Sequence, residues 1–473
     1  MTVPPSRRIT STQLRAGRAS VFAFADAAAF AVLALSAVTI PATFSIAQSD
    51  VFALPKTVLT LVLATGLGAF LTVRWISTGG PIQLPRSSLA LALVIFLIWN
   101  VMAAWFAINR AQAIVGERLQ YQGLVTTLAY VVFFLACCTT VRTPRRRNVL
   151  LLSIGVGALF VATYAVLQRA GLDPIWPYLP HGRVFSTIGQ ANALAAYLVL
   201  TVPLVLGMAA GQKWPMRSAA VVAIALMLAG LALTLSRGGY LGLLTAATVF
   251  AVGAWSGRKI LNIDRRRLTV AALAVLATFG VILSVPDVQV VGQQVSARAL
   301  LAADLTEGSI KGHLDMWAVG VTIAADHPVV GTGQDTYVLL FGEYRDQVLS
   351  PERAAVMSYW RPESPHNVYI AVAQGAGLPT LAAYLAVIAA VVGRILTAMR
   401  PPKDPPTLFI SAALLAAIAG HLVTDTFMTA ETAGSVLFWM ALGAGAALTV
   451  QTRSSEMPSA GRALHPSSEE RDS

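Results

Sequence analysis

With 473 residues, of which 56% are hydrophobic and only 12% are charged, the chain is too apolar to cover a water-soluble surface. Its apolar stretches are far longer than the roughly ten residues of a barrel strand, so the sequence predicts an all-α membrane protein. The net charge of +12 does not indicate nucleic-acid binding, because the basic residues fall in the segments between the apolar stretches.

Twelve apolar stretches follow one another along the chain, and each is close to the ~20 residues that a helix needs to cross a bilayer. They are residues 21–45, 51–73, 88–108, 122–141, 148–168, 190–211, 217–235, 239–256, 268–285, 367–396, 407–427 and 433–451. Because several are short, the sequence predicts a polytopic helical bundle of about twelve spans and no fewer than about ten.

The positions of Lys and Arg predict how this bundle is oriented. If the N-terminus is cytoplasmic, the cytoplasmic segments hold 23 of the 34 basic residues. The short outer loops then hold only Lys56, Arg110, Arg118, Arg169, Arg183 and Arg237. This asymmetry follows the positive-inside rule, and it predicts a protein of the cell (inner) membrane with both termini in the cytoplasm.

The chain divides into five predicted parts. They are a cytoplasmic tail (1–20), helices one to nine (21–285), an extracytoplasmic loop (286–365), helices ten to twelve (366–451) and a disordered cytoplasmic tail (452–473). The loop is the one large excursion in a short-looped protein, so function is expected there. Within it, Leu314 to Ala325 predicts an amphipathic helix that ends before Pro328.

Two arginines on the outer side are candidates for binding phosphate. Arg237 lies at a tight glycine turn between two spans, where its planar guanidinium offers a fork of donors. The alternative is an anchor that reaches the lipid headgroups. Arg183 precedes a span that Asn192 begins or caps, and its alternative is an ordinary loop arginine.

His366 follows Pro365 where the large loop meets a span. An imidazole titrates near neutrality, so this residue can take a proton from a hydroxyl, although a lone histidine is more often structural. His421 lies inside a span and predicts a buried polar contact, whereas Asp425 and Glu431 flank the last outer turn and are expected to be solvated. Neither metal-ligand spacing nor a cofactor motif occurs, so no metal or cofactor is predicted.

Three segments together resemble the O-antigen ligase and polymerase superfamily of membrane glycosyltransferases. Arg183 to Asn192 is similar to an arginine, glycine and asparagine segment of that family, and Ser236 to Gly238 is similar to its Ser-Arg-Gly turn. The third segment runs from Trp317 through residues 326–333, which resemble a His-Pro-x-x-Gly-x-Gly loop, to His366-Asn367 and Gly377. Their order and their shared outer location make the set more specific than any one motif.

The sequence departs from the family pattern in two places. The family often has arginine four residues before the tryptophan, where this chain has His313, with Lys311 nearby. Lysine lacks the bidentate fork of arginine, so Lys311 replaces such a contact only in part. After the histidine the family often has Gly-x-x-Gly, where this chain has Gly377-Leu-Pro-Thr380.

The resemblance implies a C-type (GT-C) helical glycosyltransferase that moves a glycan from a polyprenyl-diphosphate donor to a hydroxyl of a glycan or lipid, with inversion and without a metal. It implies that Arg183, Arg237, Lys311 and His313 bind the donor diphosphate and that His366 is the general base. The supporting residues are Asn192, Ser236, Gly238, Trp317, Asn367 and Gly377. The implied partners are donor, acceptor and bilayer, and not nucleic acid.

Several functions remain open at this point. Ligases, polymerases and protein O-oligosaccharyltransferases share this family, and the sequence does not separate them. A transporter or flippase of lipid-linked glycans would have a similar helix count, but it should show an internal repeat and charges along a central path. A structural scaffold would not require arginines on the outer side.

Overall fold

The computed structural model describes residues 11–78, 88–176, 178–179, 182–210, 212–256, 308–359, 362–400 and 405–455. Within these ranges the chain is helical and forms no strand. The helices are α1 (Ser11–Ala42), α2 (Ala53–Thr78), α3 (Ser88–Trp105), α4 (Arg110–Val115), α5 (Leu124–Thr140), α6 (Pro144–Arg169), α7 (Ala191–Ala210), α8 (Met216–Leu233), α9 (Arg237–Ser256), α10 (Gly308–Asp326), α11 (Tyr337–Val348), α12 (Pro351–Ser358), α13 (Val368–Ala398), α14 (Pro405–Thr424) and α15 (Thr432–Ser455).

The predicted polytopic helical bundle is confirmed. Among the described residues, nine helices are long and apolar enough to cross a membrane, and α5 and α15 contain shorter apolar helices. These eleven coincide with eleven of the twelve predicted stretches, although α1 begins at Ser11, inside the predicted tail. The stretch 268–285 and most of the tail after 452 lie outside the described residues.

The centre of the bundle is formed by α7 and α14, which are the most deeply buried of the candidate spans. Both helices are rich in alanine and contain one glycine each, and small residues let helix backbones approach closely in a membrane. Where α9 crosses α14, a Cβ atom added to Gly242 would lie 2.8 Å from the carbonyl oxygen of Gly420. This close packing fixes the start of α9 relative to the end of α14.

The helices of the predicted loop have a small apolar core of their own. It consists of Met316, Val319, Ile323, Tyr337, Phe341, Tyr344 and Met357 from α10 to α12. The amphipathic helix predicted from residue 314 is longer than expected and begins at Gly308. This segment is therefore a small folded unit, and α10 packs against the start of α13, where a Cβ atom at Gly320 would lie 2.6 Å from the side chain of Ile370.

The loop after α10, residues 327–335, pairs with a break in α13. The break lies at Gly377, whose φ of 81° is left-handed and non-helical. Backbone N–H groups of Thr332 and Gly333 donate to the carbonyls of Gln374 and Gly375 at 2.9 and 2.8 Å, and Leu378 N–H donates to Pro328 O at 2.8 Å. The break thus supplies backbone groups that a continuous helix would use internally.

Candidate functional site

Arg183 joins the first motif segment to the second. Its Nε donates to the carbonyl of Thr234 at 2.7 Å, and its Nη2 donates to the side-chain oxygen of Asn192 at 2.6 Å. Asn192 is the second residue of α7, and Thr234 follows the last residue of α8. The half-buried guanidinium therefore holds the start of one span against the turn that follows another.

Lys56 stabilises the segment that follows Arg183 by a hydrogen bond. The sequence assigned it to an outer loop, but it lies in the first turn of α2 and is fully buried. Its Nζ donates to the carbonyl of Thr187 at 2.6 Å. The short helical turn Ser186–Ile188 is thereby attached to α2, which fixes the chain just after Arg183.

Arg237 is the first residue of α9 and is half-buried. Before it, Leu235 adopts a left-handed φ of 51°, and the Ser236 hydroxyl accepts the backbone N–H of Gly239 at 3.2 Å. The N-terminus of a helix carries a partial positive charge and N–H groups that point outward. A guanidinium at that position makes the turn suited to an anion such as phosphate.

Gly238 allows α9 to contact the turn between α14 and α15. A Cβ atom at Gly238 would lie 3.0 Å from the side chain of Phe427. The Phe427 ring in turn packs against Trp317 of α10, with ring centroids 6.0 Å apart. The indole Nε1 of Trp317 is buried and meets no hydrogen-bond acceptor among the described residues, so this donor is available to a ligand.

His366 lies immediately before α13, in a strained backbone conformation with φ of 49°. Its Nδ1 is 3.0 Å from the hydroxyl of Thr429, and its ring centroid is 5.8 Å from that of His313 on α10. Burial, and then the charge of His313, lower the pKa of His366 to about 4. At neutral pH the imidazole is therefore uncharged and able to accept a proton.

Four other residues predicted for the site lie near His366 or on α10. Asn367 is the N-cap of α13, where its side chain accepts the backbone N–H groups of Tyr369 and Ile370 at 3.0 and 3.1 Å. Gly377 forms the helix break, so both residues shape the backbone around His366. Lys311 is exposed on the first turn of α10, whereas His313 is half-buried beside His366.

A cavity of about 130 Å³ is lined in part by Ser364 and Thr429. Its wall includes His421 and Asp425, which are each 4% exposed, and Nε2 of His421 lies 3.4 Å from Oδ1 of Asp425. The expectation that Asp425 is solvated is wrong, and the predicted burial of His421 is confirmed. The four-residue spacing of these two residues on an apolar helix was the available signal.

Glu431 is also not simply solvated. It is half-buried before α15, and its Oε2 accepts the backbone N–H of Gly434 at 2.9 Å, so it caps that helix. Burial raises the pKa of this carboxyl above its ordinary value. The expectation of a solvated side chain is wrong because Glu431 caps the span that begins at the next residue.

Two further carboxyl groups line the same cavity. Asp335 accepts the backbone N–H groups of Glu117 and Gln122 at 3.1 and 2.7 Å, and burial raises its pKa to about 6. Burial also raises the pKa of Glu363. Among the described residues, no group of three or more His, Cys, Asp or Glu side chains is arranged to hold a metal ion.

The fold and this site define a multi-pass helical membrane protein with arginines and paired imidazoles at the ends of its spans. Residues 222–385 match the family model described as O-Antigen ligase, which supports a relation to the O-antigen ligase and polymerase superfamily. The resemblance drawn from the motifs is thereby confirmed. The family implies a glycosyltransferase or ligase-like enzyme that uses a lipid-linked glycan donor and a glycan acceptor.

The matched segment does not contain every residue of the site. It includes the turn at Ser236, α10, the loop 327–335 and His366, but not the Arg183 segment or the turn that carries Thr429. The contacts of Arg183 with Thr234 and of Thr429 with His366 attach these two outlying segments to it. A comparison with curated proteins found no match.

Proposed function

We propose that the protein transfers a glycan from a polyprenyl diphosphate to a hydroxyl of a glycan or lipid acceptor on the extracytoplasmic face of the membrane. The proposal rests on one arrangement of side chains. Arg237 lies at a helix N-terminus, near the segment that carries Arg183. Trp317 and the neutral imidazole of His366 complete the arrangement. A diphosphate requires positive charge and N–H donors, and a hydroxyl nucleophile requires a base.

The proposed reaction breaks the bond between the anomeric carbon and the diphosphate oxygen. The diphosphate leaves with the electron pair, and Arg237 and Arg183 offset its developing negative charge. The acceptor oxygen attacks the opposite face of the anomeric carbon, so the configuration inverts. His366 takes the acceptor proton, and because the guanidinium groups supply the positive charge, the mechanism includes no metal step.

Lys311 and His313 are proposed to contact the outer part of the same diphosphate. His313 lies beside His366 on α10, where the family often has arginine, and Lys311 is exposed one half-turn earlier. Neither side chain offers the bidentate fork of arginine. Their contribution is therefore proposed to be smaller than that of Arg237.

The test uses the full chain in liposomes with a polyprenyl-diphosphate-linked glycan and three separate acceptors: a lipid core, a glycan and a protein. The expected result is free polyprenyl diphosphate together with an inverted glycosidic product on the glycan or the lipid. Product only on the protein would indicate the O-oligosaccharyltransferase of the same family. Movement of the intact donor across the bilayer, with no free diphosphate, would indicate a flippase and would overturn the proposal.

A further inference from the structure

The turn between α14 and α15 contributes a hydroxyl to His366 that no motif predicted. Thr429 Oγ1 lies 3.0 Å from Nδ1 of His366 and 2.6 Å from the hydroxyl of Ser364. The Ser364 hydroxyl also accepts the backbone N–H of His366 at 3.2 Å. The two hydroxyls thus connect the ring and the backbone of one residue across 63 positions of sequence.

This contact places Nδ1 of His366 against Thr429 and leaves Nε2 as the other ring nitrogen. A neutral imidazole carries one N–H and one lone pair, and the hydrogen bond at one nitrogen decides the role of the other. When Nδ1 carries the hydrogen, the Thr429 oxygen accepts it and Nε2 keeps its lone pair. When Nε2 takes a proton, the bond at Nδ1 becomes charge-assisted and stabilises the imidazolium.

We propose that Thr429 is a positioning residue: its hydroxyl accepts the Nδ1 hydrogen of His366 and holds Nε2 toward the acceptor hydroxyl. This inference rests on the proposed function, in which His366 is the base. Thr429 itself touches neither donor nor acceptor. It acts by holding the imidazole ring in one orientation, because the χ2 torsion of histidine is otherwise broad and roughly two-fold.

Other titratable groups surround His366 and must stay constant in the test. His313 faces it from α10, and Glu363 precedes it in the same loop. His421 of α14 and Asp425 of the turn that follows it line the same cavity as Ser364 and Thr429. Substitution of Thr429 changes none of these charges, so a change in the pH profile reports the hydrogen bond to the imidazole.

The test compares Thr429→Val, which keeps the side-chain shape, with Thr429→Ser, which keeps the hydroxyl. Loss of a hydrogen bond to a charged group should lower kcat about 10- to 100-fold in the valine variant, with donor KM little changed. The acidic limb of kcat/KM should move to lower pH, because the imidazolium loses an acceptor and its pKa falls. Serine should restore both the rate and the pH midpoint.

Thr426→Val is the matched control, because among the described residues the Thr426 hydroxyl bonds only the nearby carbonyl of Val423. It should have the wild-type rate. A valine variant of Thr429 with wild-type kcat, or with a low rate and an unmoved pH midpoint, would overturn the inference. If His366→Gln is inactive in that same experiment, the role of His366 as base survives; if it transfers at the wild-type rate, His366 is not the base and this inference fails with it. The proposed function itself fails only if the unsubstituted chain transfers no glycan.

Discussion

Four of the six non-glycine residues with a left-handed φ in the described part of the chain lie in or beside the motif segments. Ser186, Leu235, Asp335 and His366 have φ values of 52°, 51°, 56° and 49°. Such conformations cost on the order of 1–3 kcal/mol each and persist only where the surrounding structure imposes them. At His366, the hydrogen bonds through Ser364 and the N-cap at Asn367 hold the strained residue in place.

The first prediction concerns the base. His366→Gln retains hydrogen bonding but cannot take a proton, so the rate should fall roughly 10²–10⁴-fold while donor binding and the amount of folded protein are kept. The unsubstituted enzyme should be active over the neutral range, and kcat/KM should fall only as pH approaches about 4, because the imidazole loses its lone pair below that value. Single-turnover transfer from a lipid-linked donor measures both effects.

Substitution of the neighbouring His313 tests the same assignment of the base. The charge of His313 lowers the pKa of His366, so His313→Gln should raise that pKa and move the acidic limb of kcat/KM to higher pH. An acidic limb that stays in place in His313→Gln and in His366→Gln alike would assign the titration to another group.

The second prediction concerns the arginine at the start of α9. Arg237→Lys keeps the charge and loses the planar fork, and a charge-assisted hydrogen bond is worth ~1.5–3 kcal/mol. Turnover should therefore fall about 10-fold or more. Arg217→Lys is the control, since Arg217 is exposed at the opposite end of α8, and it should behave as wild type. Equal turnover of both variants would leave Arg237 as an interfacial anchor.

Among the helices, α13 shows why the family motif contains glycines that perform no chemistry. At Gly377, the break in α13 needs both a left-handed φ and room for the carbonyl of Val329. Gly331, on the facing loop, has a φ of 67°, and a Cβ atom there would lie 2.5 Å from the backbone of Gly375. The loop 327–335 and the break in α13 therefore pack backbone against backbone. His366 lies just before the start of α13.

The third prediction follows from this contact. Gly377→Ala adds a methyl group that overlaps the Val329 carbonyl and forces a strained φ, so the folded fraction and the melting temperature should fall. Gly393→Ala in the same helix is the control, because a Cβ atom there meets nothing within 4 Å, and it should be tolerated. Size-exclusion profiles and thermal unfolding in detergent measure the difference, and two equally stable variants would contradict the role given to the break.

The sequence predicted the elements better than the contacts between them. Apolar length is a one-dimensional signal, so eleven described helices fell where expected, and the motifs located Arg237 and His366. Lys56, Thr429 and Asp425 were missed or misplaced because their roles depend on neighbours distant in sequence. The hydroxyl that contacts His366 belongs to Thr429, in the turn between α14 and α15. No local sequence pattern around Thr429 predicts this contact.

At the scale of the whole molecule, the site draws on segments from both sides of the matched domain. Arg183 is fixed by α7 and the end of α8, and Thr429 comes from the turn before α15. Helix α7 carries Asn192, α14 precedes the turn of Thr429, and these two buried helices pack against each other. The catalytic assembly proposed for this protein therefore requires the complete bundle rather than the matched segment alone.

The last prediction concerns the orientation of that bundle. The positive-inside rule predicts that the loop helices α10 to α12 lie outside, whereas the segment between α7 and α8 lies in the cytoplasm. Tyr359 and Trp214 are 92% and 81% exposed in these two regions, so single cysteines there should be accessible to reagents. The native Cys137 and Cys138 are buried at 0% and 6% exposure and should give little background. A membrane-impermeant maleimide should label Tyr359→Cys in intact cells and Trp214→Cys only after permeabilisation. The reverse pattern would place the proposed base in the cytoplasm, and transfer on the extracytoplasmic face would then be impossible for this protein.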